Sequence, residues 1–308
     1  MYSYTENRVN MEYNVEADFM LLNTCNFRCT YCFSSPATLG AKVRTYATSN
    51  QWREGFDATG KTWLIHITGG EPSIYPGFVE LCKQLAVHHY LSINSNLSHH
   101  SIDDFVEKID PGRVHFVHAS VHYEERQKRK GVGIFIDRIH KLHKAKFNVL
   151  VSVVMTPKAV ETFPVVFKYF DSHGVPLIPK VMRGKFKGKV YPAAYSNGEK
   201  TIILEYLIEA QQKHAKVIEK MAEPPTIDMF SDSRFLNSSM DYKGKMCGSG
   251  FNFVVILPDG TVRRCQSKRR LGNILLKNVV LMNAPKPCDT SYCPYFCEKY
   301  TSPQILAL

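Results

Sequence analysis

The sequence predicts an α/β fold: a parallel sheet curved into a partial (β/α)6 TIM-like barrel, followed by a small cysteine-rich unit with a β-hairpin. Three observations carry this. Short apolar strand-like runs alternate with helical segments six times between residues 18 and 182, and strict alternation of this kind builds parallel sheets. A long amphipathic stretch and the pair Pro224-Pro225 then break the pattern. Beyond them, five of the nine cysteines crowd into the end of the chain, from Cys247 onward.

Asp18–Leu22 reads as the first strand and 49–58 as the first helix. Trp63–Ile67 is the second strand, and Pro76–Val87 a helix with Phe78, Leu81 and Leu85 at helical spacing. Tyr90–Asn94 is the third strand. Ser101 reads as the N-cap of a helix over Ile102–Ile109, with Asp103 and Asp104 in its first turn. Val114–Ala119 is the fourth strand and Val132–Lys146 the helix after it. Asn148–Met155 and Val175–Met182 are the last two strands, flanking a helix over Thr162–His173 closed by Gly174. A basic stretch, Arg183-Gly-Lys-Phe-Lys-Gly-Lys, precedes a helix over 198–221. The expected units are a barrel at 14–190, a helical linker at 191–239 and a terminal unit at 240–308. Cys82, Met155, Met182, Phe163, Phe167 and Phe170 are expected in the core.

The 308 residues are 44% hydrophobic and 22% charged, a globular balance. No run approaches the ~18 apolar residues of a membrane helix, and the N-terminus lacks the apolar core of a signal peptide. A cytoplasmic protein with reduced thiols is expected, so its cysteines point to metal rather than disulfides. The net charge of +11 favours anionic partners. It is spread over Lys128–Lys130, Lys185–Lys189 and Arg263–Arg270, runs that a solvated surface also explains.

The chemistry concentrates in Cys25-Asn-Phe-Arg-Cys29-Thr-Tyr-Cys32. Three thiolates at this spacing suit one corner of a four-iron cluster, which usually takes four cysteines. The fourth iron then stays open to a small molecule. A structural zinc site is the alternative, but zinc wants a fourth ligand, and the next His and Cys are as far away as His66 and Cys82. The run resembles the signature loop of the radical S-adenosylmethionine (radical SAM) enzymes. Ile67-Thr-Gly-Gly-Glu-Pro72 resembles that family's second motif, which holds the amino group of the cofactor's methionine part. In such barrels the chemistry sits after the C-terminal ends of the strands, where both motifs fall.

The resemblance implies that Cys25, Cys29 and Cys32 carry a [4Fe-4S] cluster and that S-adenosylmethionine binds its open iron. It implies that Gly69, Gly70 and Glu71 meet the methionine part, and that Tyr31 lies against adenine. From strand-end position, Asn94, Ser120, Ser152 and Arg183 are candidates for ribose and carboxylate contacts. His118, His122 and Glu124 are candidates for substrate contact or proton transfer. A histidine on a strand is also a common core residue.

The second cysteine group begins at Cys247. Pro258-Asp-Gly260, between two apolar runs, signals a hairpin that brings Cys265 back toward Cys247. Cys293 and Cys297 form a compact pair, and Cys288 is the least certain ligand. Gly260-x₄-Cys265 and Leu271-Gly-Asn-Ile274 resemble the auxiliary-cluster modules of radical SAM enzymes, SPASM or the shortened twitch form. This implies one auxiliary [4Fe-4S] cluster, with structural zinc as the alternative.

Only 24 residues precede Cys25, too few for the leader-binding domain of many peptide-maturing members. The expected function is hydrogen-atom abstraction from a small anionic, sugar-like or nucleotide-linked substrate, ending in oxidation or epimerisation. An external one-electron donor such as a flavodoxin or ferredoxin is expected. Two alternatives are maturation of a ribosomally made peptide and, from another class, a basic zinc-dependent nucleic-acid-binding protein. The second leaves Gly-Gly-Glu-Pro unexplained.

Overall fold

A computed structural model describes residues 11–32, 34, 37–220, 236, 241–265, 269–291 and 293. The chain runs through β1 (Val15–Leu22), α1 (Ser49–Asp57), β2 (Trp63–Gly69), α2 (Phe78–Ala86), β3 (Tyr90–Ser95) and α3 (Ser101–Lys108). It continues through β4 (Val114–Ser120), α4 (Tyr123–Lys128), α5 (Val132–Lys144), β5 (Val149–Met155), α6 (Pro157–Ser172) and β6 (Leu177–Val181). A short hairpin, β7 (Gly184–Phe186) and β8 (Lys189–Tyr191), leads to α7 (Asn197–Lys220). The terminal segment adds β9 (Met246–Cys247), β10 (Phe253–Ile256), β11 (Thr261–Arg263), β12 (Arg270–Asn273) and β13 (Lys286–Pro287).

Strands β1 to β6 pair in sequence order and in parallel, as six βα repeats require. This is the mixed α/β architecture that the alternation predicts. Successive strand side chains alternate between faces. Phe19, Trp63, Ile65 and Ile67 join the core beneath the helices, where Phe19 lies 4.7 Å from Trp52 of α1 by ring centroid. The opposite face is polar, carrying Glu16, Asp18, His66, Thr68, Ser92 and Asn94. Burying such groups is costly unless they pair. Here they do: His66 meets Ser92 Oγ at 2.5 Å and Glu16 Oε2 at 3.1 Å, and Tyr13 donates to Glu16.

The sheet does not stop at β1. β10 pairs with it in parallel, and β11 and β12 follow antiparallel, giving one nine-stranded sheet. Beyond β12, Ile274 is buried, and its carbonyl oxygen would meet a Cβ on Gly55 of α1 at 2.5 Å. Lys277 reaches Glu54 at 2.8 Å.

Several local expectations need correction. Ser101 does not cap α3: its hydroxyl donates instead to the Ser73 carbonyl, and the capping position falls to His100 without a side-chain bond. Helix α6 begins at Pro157 rather than Thr162, because Thr156 caps the Ala159 amide and a proline fits the first helical position. Pro164 is then tolerated inside the helix. The six-residue α4 has no counterpart in the sequence reading. Cys82, Met155, Met182, Phe163, Phe167 and Phe170 are buried as expected.

Candidate functional site

The loop after β1 carries Cys25, Cys29 and Cys32, all half-buried. It is closed at its base by the Gly40 amide on the Cys25 carbonyl (2.7 Å) and within by the Cys32 amide on the Cys29 carbonyl (3.1 Å). Two more backbone amides point at sulfur, Phe27 at Cys25 and Ser34 at Cys32, each at 3.4 Å. Burial pushes the Cys25 thiol up to about 11 and the Cys29 thiol up to about 12. The three thiols feel one another's charge. The Cys25 and Cys29 thiols therefore need an added positive group to ionise, as iron supplies to its ligands. Among the described residues no three His, Cys, Asp or Glu side chains gather around a single ion. A four-iron cube takes its thiolates at separate corners, and three cysteines on one loop are the donor type it needs.

The second motif is tied directly to this loop. The Gly70 amide donates to the Leu22 carbonyl at 2.8 Å and the Glu71 amide to the Thr24 carbonyl at 2.9 Å. The two glycines make that approach possible. A Cβ on Gly69, whose φ is +131°, would lie 2.1 Å from the Leu22 oxygen. One on Gly70 would lie 2.0 Å from the Thr24 oxygen. The close backbone contact that Gly69 permits is with the end of β1, and that of Gly70 is with the start of the cysteine loop.

Glu71 is buried, and protein donors fill its carboxylate. Oε1 accepts from the Ser73 amide and hydroxyl and from Ser95 Oγ; Oε2 accepts from the Asn96 amide at 2.6 Å. Burial pushes its pKa up, and these four donors pull it back. Its side chain ties the turn after β2 to the end of β3. Sequence reasoning sent it toward a ligand.

The structure brings most of the other predicted residues together. Tyr31 Oη lies 2.7 Å from His122 Nδ1, and their rings stack at 6.0 Å. Tyr31 also lines a shallow cleft with Tyr123, Glu124, Val153, Val154 and Thr156. Burial, with Arg126 nearby, lowers His122 to about 3. His118 is buried, its Nε2 2.6 Å from Ser152 Oγ. These two, expected in separate roles, are each other's partners, and burial holds His118 well below the usual imidazole range. Ser120 Oγ donates to Asn94 Oδ1 at 3.4 Å, and Asn94 Nδ2 to Thr68 Oγ1 at 3.5 Å. Arg183 stands immediately after β6 on the approach to the β7–β8 hairpin.

Sequence reasoning missed the clamp over the cysteine loop. Asn26 donates to Ser98 and accepts from Asn96. The Arg28 amide reaches Glu125, and Arg129 caps the Asn26 carbonyl at 2.8 Å. Buried Arg126 donates to the carbonyls of Val121, Asn96 and Ser120, with its guanidinium 3.8 Å above the Phe135 ring. The available signal was the Arg–Lys-rich run 126–130, which reads equally well as solvated surface.

In the terminal segment Cys247, Cys288 and Cys293 share one apolar cluster with Tyr242, Phe253 and Val255. The Cys288 amide and carbonyl pair with Lys245 and Gly244 at 2.8 Å each, which sets it beside the Cys247 strand. Arg264 fastens the group: its Nε donates to the Ser249 carbonyl at 2.9 Å, and its terminal nitrogen donates to Lys286 and Pro287. Cys265 follows directly. Cys297 lies outside the described residues.

Residues 20–167 match the profile of the Radical SAM superfamily. Over those residues this chain is similar to that superfamily. A curated relative, GTP 3′,8-cyclase of Pseudomonas fluorescens (strain Pf0-1), is 39% identical over 79 residues. That match covers 24% of this chain and 24% of the relative, so it spans about a quarter of the relative's length. Among solved structures, anSMEcpe with bound AdoMet superposes with a TM-score of 0.58 at 19% identity, over 85% of this chain and 75% of that one. SuiB of Streptococcus suis bound to S-adenosylmethionine superposes at 0.53 with 12% identity, over 86% and 64%. At these identities the two structures show a shared fold alone. Among the described residues no helix is long and apolar enough to cross a membrane.

Proposed function

We propose that Cys25, Cys29 and Cys32 hold a [4Fe-4S] cluster that binds S-adenosylmethionine, and that the enzyme abstracts a hydrogen atom from a small anionic, sugar-like or nucleotide-linked substrate. The observation that supports this is the pair of backbone bonds from Gly70 to the end of β1 and from Glu71 to Thr24 of the cysteine loop, which ties the two motifs together. When bound and reduced, the cluster supplies the electron that splits S-adenosylmethionine into methionine and a 5′-deoxyadenosyl radical.

The protein's part is to bind and shield. Gly69 and Gly70 bring half-buried backbone beside the cysteine loop. Tyr31, oriented by His122, is the aromatic side chain we assign to the adenine ring. His122 and His118 stay neutral through burial and act as hydrogen-bonding groups near the barrel mouth. Asn94, Ser120 and Ser152 offer hydroxyl and amide contacts on the polar inner face. We propose Cys247, Cys265, Cys288, Cys293 and Cys297 as the ligand pool of one auxiliary cluster of the twitch type. It would accept an electron from the substrate radical in an oxidation. A flavodoxin- or ferredoxin-like donor and a cytoplasmic setting complete the reading.

The nucleotide substrate in the curated relative's name and the net charge of +11 favour an anionic small molecule. A second reading, peptide modification, draws on the shared fold of anSMEcpe with bound Cp18Cys peptide and of SuiB bound to precursor peptide SuiA. Single Cys25→Ala, Cys29→Ala and Cys32→Ala variants, assayed for 5′-deoxyadenosine with dithionite, test the core of the proposal. Cleavage should be lost in all three, and cleavage that survives in any of them removes that cysteine from the site.

A further inference from the structure

The turn after β3 is locked by its own hydrogen bonds. Ser95 Oγ donates to Glu71 Oε1 at 2.7 Å, and the Asn96 amide donates to Glu71 Oε2 at 2.6 Å. The Leu97 amide donates to Ser95 Oγ and the Ser98 amide to Asn96 Oδ1, both at 2.9 Å. Leu97 is buried with φ at +53°, a left-handed conformation that persists only where the surroundings hold it. The locked turn aims the Asn96 side chain at the residue after Cys25. Its Nδ2 donates to Asn26 Oδ1 at 3.0 Å, and Asn26 Nδ2 donates in return to Ser98 Oγ at 2.8 Å. The Asn96 carbonyl then accepts from Arg126 of α4. One buried asparagine thus joins the Gly-Gly-Glu turn, the cysteine loop and α4.

Arg126 carries the second half of the brace. It is buried, and it donates to the carbonyls of Asn96, Ser120 and Val121. Its guanidinium carbon lies 3.8 Å from the Phe135 ring centre and 5.5 Å from that of Phe27. Phe27 stands midway between Cys25 and Cys29, and its amide points at the Cys25 sulfur at 3.4 Å. Among the described residues, carbonyls and ring faces rather than a carboxylate hold this cation. Burial pulls Arg126 down to about 9, so it stays charged at neutral pH.

We infer that Asn96 and Arg126 are positioning residues that shape the Cys25–Cys29 half of the loop before iron arrives, and that Arg126 sets a fixed positive charge against that half, which favours the reduced cluster. The inference rests on the reading of Cys25, Cys29 and Cys32 as cluster ligands. Groups that orient the ligands of a metal site tune the metal as well, and net charge is one of the levers on an iron–sulfur potential. Reduction adds negative charge to the cluster, so a nearby cation stabilises the reduced form.

Hydrogen exchange read by mass spectrometry on the metal-free full chain tests the positioning role. The Phe27, Arg28 and Cys32 amides are bonded within the folded loop and should be protected in wild type. Asn96→Ala and Arg126→Met should each speed their exchange by about tenfold, the loss of roughly one net hydrogen bond. A redox titration of the reconstituted chain, followed by the electron paramagnetic resonance of the reduced cluster, tests the charge. At a fixed potential, Arg126→Met should lower the ratio of reduced to oxidised cluster by about fivefold. Arg126→Lys keeps the charge and Asn96→Ala changes none, so both should hold the wild-type ratio. Wild-type exchange in Asn96→Ala and Arg126→Met overturns the positioning role. A wild-type ratio in Arg126→Met, or an equal fall in Arg126→Lys, overturns the charge role. Should Arg126→Met not fold, Arg126→Lys decides: faster loop exchange with an unchanged ratio supports the inference, and wild-type exchange overturns it. A wild type that holds no iron sinks the cluster reading beneath, whereas iron-loaded variants that match wild type in both measurements sink this inference alone.

Discussion

Replacing Gly70 by Ala tests whether the two motifs form one rigid unit. The added Cβ would meet the Thr24 oxygen at 2.0 Å, the Thr24 carbon at 2.3 Å and the Asn23 oxygen at 2.9 Å. All three are backbone atoms, so no side chain can swing aside. Gly70 does not need a left-handed φ, so the whole penalty comes from space. Forcing the segments apart breaks the bonds from Gly70 to Leu22 and from Glu71 to Thr24. Two buried backbone bonds and the overpacking together cost roughly 3–5 kcal/mol. At about 2–4 °C per kcal/mol for a domain somewhat smaller than this chain, the melting temperature should fall by about 10 °C. Iron retained after anaerobic reconstitution should drop with it, because the same bonds hold the cysteine loop. Gly133→Ala on α5 is the control: nothing lies within 4 Å of its added Cβ, and the helix should gain roughly 1 kcal/mol. A Gly70→Ala protein that melts with wild type and holds the same iron refutes the argument.

Three further outcomes follow from the same geometry. Glu71→Ala strands four buried donors and should cost about 3–5 kcal/mol in chemical denaturation, whereas Glu71→Gln keeps most acceptors and should cost about 1–2 kcal/mol; equal costs would mean that the carboxylate is not the hub. Burial lowers His89 and His214 to about 4 and holds His118 well below the usual imidazole range. Each stays neutral in the folded chain while the unfolded chain binds a proton below its ordinary value near 6.5. Stability should therefore be full above pH 6.5 and fall by about 1.4 kcal/mol per pH unit per histidine between pH 6 and 4, and a flat acid limb in denaturant titrations would contradict this. Cys247→Ala and Cys288→Ala should each lower bound iron by about four atoms per chain, the size of one cubane cluster, and unchanged iron in both would remove the auxiliary cluster.

Much of this was legible because parallel strands buried on one face by helices carry unmistakable apolar runs, and all six barrel strands lie where those runs fall. The cysteine loop and Gly69–Glu71 were legible through spacing. Partnership was not. Glu71 was legible as a cofactor candidate, but its bonds to Ser73, Ser95 and Asn96, the last two at the end of β3, were not. His118 and Ser152 lie 34 positions apart, and only the β4–β5 register makes them a pair. Helix α4 is six residues long and strongly charged. It is held by what Glu125 and Arg126 reach in the cysteine loop and the strand ends, and local propensity carries no sign of that. The pairing of β10 with β1 joins residues more than 200 positions apart, beyond the reach of any periodic pattern.

The most direct test of the central claim is anaerobic reconstitution of the full chain, with iron and sulfide counted and 5′-deoxyadenosine assayed in dithionite and S-adenosylmethionine. About eight irons per chain, two cubane clusters, together with 5′-deoxyadenosine that disappears in Cys25→Ala, is the predicted result. A colourless protein that binds zinc and leaves S-adenosylmethionine intact would contradict it.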